Sequence, residues 1–314
     1  MTELGIVIVN YNVSDKLKNC LEALNDLNHK DKYKIIIVDN NSSDNSVSLI
    51  KKEFPDIFLI ENKENLGYAK ANNIAIDFLI KTFGSIEYIL LLNPDVVVSY
   101  NTIDGLMEFL KNHPNIGCVS PALGSADNKF KNGCGGFIPG FFTGFNYFFF
   151  LSQIMPRLFK GIFINQEYFI KRKKPVELDW LSGACLMLRK NMILEVGLLN
   201  ENYFLYGEDI EWGRRIKKGG WTLYLIPELR VVHLGGESLR KLNTNKVLWL
   251  DGFFQYLKMS NNSTYVFIRI FAVIGFLLRL IMYKLIFMFK KSDYFFNKSA
   301  ELKTYFKYSL LEKW

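Results

Sequence analysis

Over the first 120 residues, short apolar runs alternate with longer mixed stretches. Leu4 to Asn10, Tyr33 to Val38, Ile57 to Ile60, Tyr88 to Leu92 and Gly117 to Pro121 are aliphatic or β-branched runs. Continuous apolar runs of this length predict strands buried on both faces, as in a parallel or mixed sheet between helix layers. The intervening stretches carry helix signals. Ser14 or Asp15 can cap a helix running to about Leu27. The cluster Asp39-Asn40-Asn41-Ser42-Ser43-Asp44 supplies a turn and several caps for a helix to about Glu53. Ala69 to Thr82 and Asn101 to Lys111 read as two further helices. The alternation predicts a doubly wound α/β sheet flanked by helices.

One run stands out. Tyr88 to Leu92 leads straight into Asn93-Pro94-Asp95, and three valines follow. Pro94 has no backbone N–H and ends ordinary ladder pairing. Asp95 then lies just past the carboxyl end of a central strand, where open α/β sheets hold their ligands. A carboxylate there needs a partner, and a divalent cation carrying a phosphorylated ligand is one. A turn or helix-cap aspartate is the plainer alternative.

The pattern dissolves between Ser125 and Lys174. Gly133, Gly135, Gly136 and Gly140 break the chain before Phe141 to Leu151, which holds six Phe and one Tyr. With the basic Lys171-Arg172-Lys173-Lys174 beyond it, this run reads either as core or as a loop facing a membrane or an acceptor. Order returns with Val176 to Leu188, whose end, Ala184 to Leu188, is a buried strand, and with a helix over Arg189 to Val196. Glu208-Asp209 open a helix that ends at Gly219-Gly220. Trp221 to Ile226 and Arg230 to His233 read as two strands. Val266 to Phe289 is long and apolar enough to cross a bilayer, but Arg269, Arg279 and Lys284 interrupt it. At about 100° per residue, those three and Lys290 fall within roughly 140° of arc. The expectation is an amphipathic helix lying in the membrane interface, with a re-entrant hairpin or a helix packed on the globular domain as alternatives.

Composition narrows the partners. The chain has 314 residues, 49% hydrophobic, with a net charge of +8. The excess charge sits beside aromatic runs in the second half, which favours an anionic membrane surface or a phosphate-bearing ligand. No nucleic-acid-binding module is present, so no nucleic acid partner is expected. Cys20, Cys118, Cys134 and Cys185 form no CxxC pair and read as buried thiols in a reducing compartment. Glu3 and the brevity of Leu4 to Val9 argue against a secretory signal. There is no GxGxxG after the first strand, so a dinucleotide-binding domain is disfavoured.

Asp39, Asp95, Glu208-Asp209 and His233 each have a bland reading: turn former, cap, helix-start acid, hydrogen-bonded core histidine. Their joint order is more specific. Together with Ile8 to Asn12, Val38 to Asp44, Asn65 to Ala69 with Asn72-Asn73, Leu92 to Asp95, Trp180 to Cys185, Tyr206 to Asp209, and His233 with Gly235-Gly236, they resemble family 2 glycosyltransferases of the GT-A fold, within a bacterial rhamnosyltransferase-like branch. The resemblance covers about residues 4 to 240. It implies a GT-A glycosyltransferase domain over 1–240, with a nucleotide-binding half (1–122) and an acceptor half (123–240), and a helical membrane-association region over 241–314.

The resemblance also implies roles. Val9 and Tyr11 would border the nucleotide base, and Asp39 would bond the base or ribose. Asn65, Gly67 and Lys70 would line the nucleotide side, Gly67 allowing close backbone approach. Asn93 and Asp95 occupy the family's Asp-x-Asp motif, with Asn93 replacing the first acid, so one charge is missing. Asp95 and His233 would bind Mg²⁺ or Mn²⁺ on the donor's pyrophosphate. Asp209 would be the catalytic base, with Glu208 as the candidate to exchange with it. Trp180, Ser182 and Gly183 would shape the wall between donor sugar and acceptor. The implied activity is inverting transfer of a sugar, rhamnose first, from a dTDP- or UDP-sugar to a lipid-linked or cell-surface glycan at the cytoplasmic face of the membrane. Two other functions stay open: a nucleotidyltransferase, which would want a Gly-rich basic loop where Asn10 to Ser14 stands, and a non-catalytic membrane-bound adaptor.

Overall fold

The structure is a computed structural model and describes residues 2–25, 33–125, 133–171, 173–233, 247–260 and 262–311. Arg172, Gly235-Gly236, the expected helix end near Leu27 and the boundary at residue 240 lie outside the described residues. The chain divides into two compact units, Met1–Gly136 with Asn165–Thr244, and Phe137–Ile164 with Asn245–Trp314.

The first unit opens with the expected alternation. Strand β1 (Leu4–Asn10) is followed by α1 (Ser14–Asn25), β2 (Tyr33–Asp39), α2 (Ser46–Glu53), β3 (Phe58–Glu61) and α3 (Gly67–Thr82). Then come β4 (Tyr88–Leu92), β5 (Val96–Val97), α4 (Tyr100–Asn112), β6 (Ile116–Gly124) and β7 (Gly135–Gly136). The chain leaves for the other unit, where α5 (Phe141–Phe148) and α6 (Leu151–Ile154) lie. It returns with α7 (Gln166–Lys171), β8 (Val176–Leu178), β9 (Trp180–Leu181), β10 (Cys185–Arg189), α8 (Lys190–Val196), α9 (Glu208–Lys218) and β11 (Thr222–His233).

The main sheet runs β3-β2-β1-β4-β10-β6-β11-β5, with β8 also on β11. Its first four strands are parallel, β10 is antiparallel to both β4 and β6, and β11 is parallel to β6. This is a GT-A-like mixed sheet flanked by helices. Every residue of β4 is buried, as its unbroken apolar run requires. The strands predicted at Trp221 to Ile226 and Arg230 to His233 are one, β11, with a register shift between Ile226 and Arg230. Pro227 lies in that gap and cannot donate to the ladder. The valines after Asp95 also pair, Val96 with His233 and Val97 with Val232.

The second unit holds α5 and α6 together with α10 (Leu248–Ser260), α11 (Asn262–Lys290) and α12 (Asp293–Leu311). The aromatic run expected in the acceptor half therefore packs with the C-terminal helices. Phe148 is buried against Phe276, while Phe142 is 76% exposed. Of the four cations on the arc of α11, the two arginines turn inward, while Lys284 and Lys290 are exposed. Arg269 is fully buried, donating to the Ser309 carbonyl at 2.7 Å and to the Tyr265 hydroxyl. Arg279 donates to the carbonyls of Tyr147 and Phe148 at 2.7 and 3.0 Å. Desolvated guanidinium groups need acceptors, and backbone carbonyls at helix ends supply them. The outward face of α11 is apolar and exposed through Phe267, Ile270, Ile274, Leu277, Ile281 and Leu285.

Candidate active site

A cavity of about 230 Å³ opens in the first unit at the carboxyl ends of β1 and β4. Asp95 sits there because β4 ends at Leu92 and Pro94 breaks the ladder. The turn is fixed by two backbone bonds: Asn93 N–H donates to Ala184 at 2.9 Å, and Val96 N–H returns to Asn93 at 3.1 Å. The pairing of His233 with Val96 brings the histidine beside the aspartate, with His233 Nε2 3.3 Å from Asp95 Oδ1. Asp95 is 7% exposed. Burial pushes its carboxyl up, but the hydrogen bond and charge of His233, with Lys16, outweigh that and hold it below the usual range.

The acidic wall is set by backbone conformation. Tyr206 and Gly207 both take left-handed φ, 68° and 92°, immediately before α9. The preceding Phe204 carbonyl accepts the Tyr68 N–H at 2.7 Å, and Gly67 also sits at φ +79°. A Cβ on Gly67 would lie 2.5 Å from that carbonyl oxygen, so only glycine fits. The far end of α9 is tied down as well. Trp212 Nε1 donates to Gly197, and Arg215 donates to Val196 and Leu198 while pairing with Glu211.

Glu208 and Asp209 thus meet the cavity at the head of α9. Glu208 is 5% exposed and its Oε2 has no hydrogen-bond partner. Burial, then the neighbouring Asp209, push its carboxyl well above the usual range. Burial also pushes Asp209 up, to about 6, although backbone N–H groups at the helix start favour its ionised form. One of these is Ile210 N–H, donating to Asp209 Oδ1 at 2.9 Å. The arrangement offers a carboxylate that can accept a proton near neutrality.

Of the residues singled out from the sequence, Val9, Tyr11, Asn65, Gly67, Asn93, Asp95, Ser182, Gly183, Glu208, Asp209 and His233 line this cavity. Asp39, Lys70 and Trp180 are not among its lining residues. Asp39 is 2% exposed, and its carboxylate accepts from Asn10 Nδ2, Ser42 Oγ and Ser42 N–H at 2.7, 2.7 and 2.8 Å. Its bonds tie the loop after β2 to the end of β1. Lys70 is exposed on α3. Trp180 is buried and supports α9, since its Cα and Cβ come within 2.8 Å of where Gly213 would carry a Cβ. The sequence reading missed Asn40, Tyr68, Phe204, Leu205 and Tyr206 as wall residues. Asn40 donates to the Gly67 carbonyl at 3.1 Å and accepts from Asn62. Tyr68 donates to the Gly183 carbonyl at 2.8 Å. Asn40, Tyr68 and Tyr206 lie inside the stretches that carry the family resemblance, and that membership is their signal in the sequence.

A mixed sheet of this order, with acids gathered where β4 and α9 meet a cavity, defines a GT-A-like glycosyltransferase. Residues 5–192 match the model described as Glycosyl transferase family 2, and the chain belongs to that family. It is similar to the N-acetylglucosaminyl-diphospho-decaprenol L-rhamnosyltransferase of Mycobacterium tuberculosis, 27% identical over 84% of this chain and 83% of that protein. It is also similar to the rhamnosyltransferase WbbL of Escherichia coli, 26% identical over 80% of this chain and 91% of that one. Among solved structures, the mannosyltransferase PcManGT from Pyrobaculum calidifontis in complex with GDP-Man and Mn²⁺ superposes with a TM-score of 0.57, at 14% identity, over 99% of this chain and 88% of that one. At that identity the likeness speaks for the fold alone.

Proposed function

We propose that the protein transfers a sugar, rhamnose first, from a dTDP- or UDP-linked donor to a lipid-linked glycan acceptor, with inversion at the anomeric carbon. The observation that carries this reading is the convergence of Asp95, His233, Glu208 and Asp209 on one cavity. The rhamnosyltransferase names of the Mycobacterium tuberculosis and Escherichia coli relatives favour the sugar, and the decaprenol in the first name favours a lipid-linked acceptor.

In this reaction an acceptor hydroxyl oxygen attacks the anomeric carbon as the bond to the diphosphate breaks. Asp209 takes the hydroxyl proton, and the nucleoside diphosphate leaves. Asn93, at the turn after β4, would orient the donor from the side of Asp95.

Asp95 and His233 fit a divalent cation. Their donor atoms are 3.3 Å apart on the cavity wall, and a carboxylate with an imidazole suits Mn²⁺ better than Mg²⁺. Among the described residues no group of three His, Cys, Asp or Glu side chains could hold a metal, so the donor's diphosphate would complete the shell. When bound, the ion would offset charge on the departing diphosphate.

Membrane association belongs to this reading; the apolar outer face of α11, the one helix among the described residues long and apolar enough to cross a bilayer, supports it. With two arginines turned inward, the expected attachment is flat on the cytoplasmic leaflet.

The test is release of nucleoside diphosphate from dTDP- and UDP-sugars in the presence of Mn²⁺ and a polyprenyl-diphosphate-linked acceptor. Asp209→Asn should lower the rate by about 10²–10⁴-fold. Full activity in that variant would remove Asp209 from the role of base.

A further inference from the structure

Two carboxyls stand side by side at the head of α9, and the transfer reaction needs one. Glu208 is the deeper of the two. It lines the cavity, is 5% exposed, and leaves Oε2 without a partner. No cation is among the groups that act on its charge, and Arg215 pairs with Glu211, Lys217 with Asp179 and Glu177, and His233 with Asp95. The groups that act on Glu208 or sense it are Asp209 from its own helix, Tyr68 from α3 and Tyr206 from the preceding loop. None of these carries positive charge. Two adjacent carboxyls in such a wall do not both ionise, because desolvation and mutual repulsion oppose the second charge. Asp209 is the one favoured as carboxylate, since its Oδ1 accepts the Ile210 N–H at 2.9 Å.

An ionised carboxylate can only accept hydrogen bonds, whereas a neutral acid can donate one. We propose that Glu208 works as a neutral acid whose carboxyl donates a hydrogen bond to an oxygen of a bound sugar and so holds that sugar against Asp209. This rests on the glycosyl-transfer reading above. The bound sugar is either the one transferred or the acceptor. Burial of a donor with no protein partner is tolerable when a ligand supplies the acceptor, and a cavity wall is where that can happen.

Glutamine and alanine at this position separate the alternatives. Glu208→Gln keeps a donor in the same place without a titrating proton, so kcat/KM should fall less than about tenfold. Glu208→Ala removes the donor and should lose about 100-fold. The KM that rises, donor or acceptor, identifies the sugar. Equal losses in the two variants, or no loss in either, would overturn the proposal. Infrared spectra of the whole protein at neutral pH supply a readout that needs no turnover. A carboxylic-acid C=O band should vanish in Glu208→Gln and persist in Asp209→Asn. Absence of such a band in the wild type would overturn the proposal even if transfer is observed. Failure of the wild type to release any nucleotide would instead defeat the transfer reading, and the band would then decide by itself whether Glu208 is neutral.

Discussion

Gly67→Ala tests how the acidic wall is built. Gly67 takes φ +79°, and an added Cβ would lie 2.5 Å from the Phe204 carbonyl oxygen and 2.8 Å from its ring. The left-handed conformation costs about 1–2 kcal/mol for a residue with a Cβ. Overpacking against backbone adds about 1–3 kcal/mol, and reduced freedom of the unfolded chain returns about 0.4–1 kcal/mol. The net loss is about 1–5 kcal/mol. Two controls isolate these contributions. Gly220 has φ +83° but nothing within 4 Å, so Gly220→Ala carries the conformational strain alone. Gly84 has neither positive φ nor a neighbour within 4 Å, so Gly84→Ala should be near neutral. Urea midpoints of the three variants measure the differences. The same clash would push Phe204, and with it Tyr206 to Asp209, by an ångström or so. A displacement of that size can lower the transfer rate by about 10²-fold. Gly67→Ala matching Gly220→Ala in midpoint, with wild-type nucleotide release, would refute this picture of the wall.

Nucleotide release should rise with pH through about 6, because Asp209 can accept a proton only above its raised pKa; a flat profile across that range would exclude it as the base. The same shift has a stability consequence. The folded state holds a proton that the unfolded chain releases above the ordinary value of 3.8, so stability falls as pH rises from there to about 6; Asp209→Asn should remove this contribution in thermal melts and leave the one from Glu208, whose carboxyl is also raised. His233→Ala should raise the Mn²⁺ concentration for half-maximal activity by at least about tenfold, measured by metal titration of nucleotide release. Leu277→Glu together with Ile281→Glu, both on the exposed face of α11, should reduce flotation with neutral phosphatidylcholine vesicles, whereas Lys303→Glu on α12 should leave it unchanged.

The parts of the fold legible from sequence are those with a strong local signature. β1, β2 and β4 are built on runs of aliphatic residues, Ile6 to Val9, Ile35 to Val38 and Ile89 to Leu92, and Pro94 marks where β4 stops. Those signals suffice to put Asp95 at a strand end. The pairing that sets His233 beside it is not legible in the same way. β5 is only two residues long, and β11 passes Pro227 through an irregularity that reads as a break. Asp39 shows the reverse problem. A polar cluster after a strand does not reveal whether its carboxylate faces a ligand or its own loop, and here Ser42 and Asn10 occupy it. Trp180 alternates with Asp179 like a wall residue, yet it fills the space left by the missing side chain of Gly213. Arg269 and Arg279 share one face of their helix, as the 100° spacing predicts. Periodicity alone does not say that this face packs on Tyr147, Phe148 and Ser309 within the same unit.

Calorimetric titration of the full chain with dTDP-rhamnose and a set of UDP-sugars, with and without Mn²⁺, bears most directly on whether these residues form one donor site. Saturable binding of one nucleotide sugar per chain is expected, strengthened by Mn²⁺ and lost in Asp95→Ala. A wild-type affinity in Asp95→Ala, or no binding by any member of the set, would contradict it.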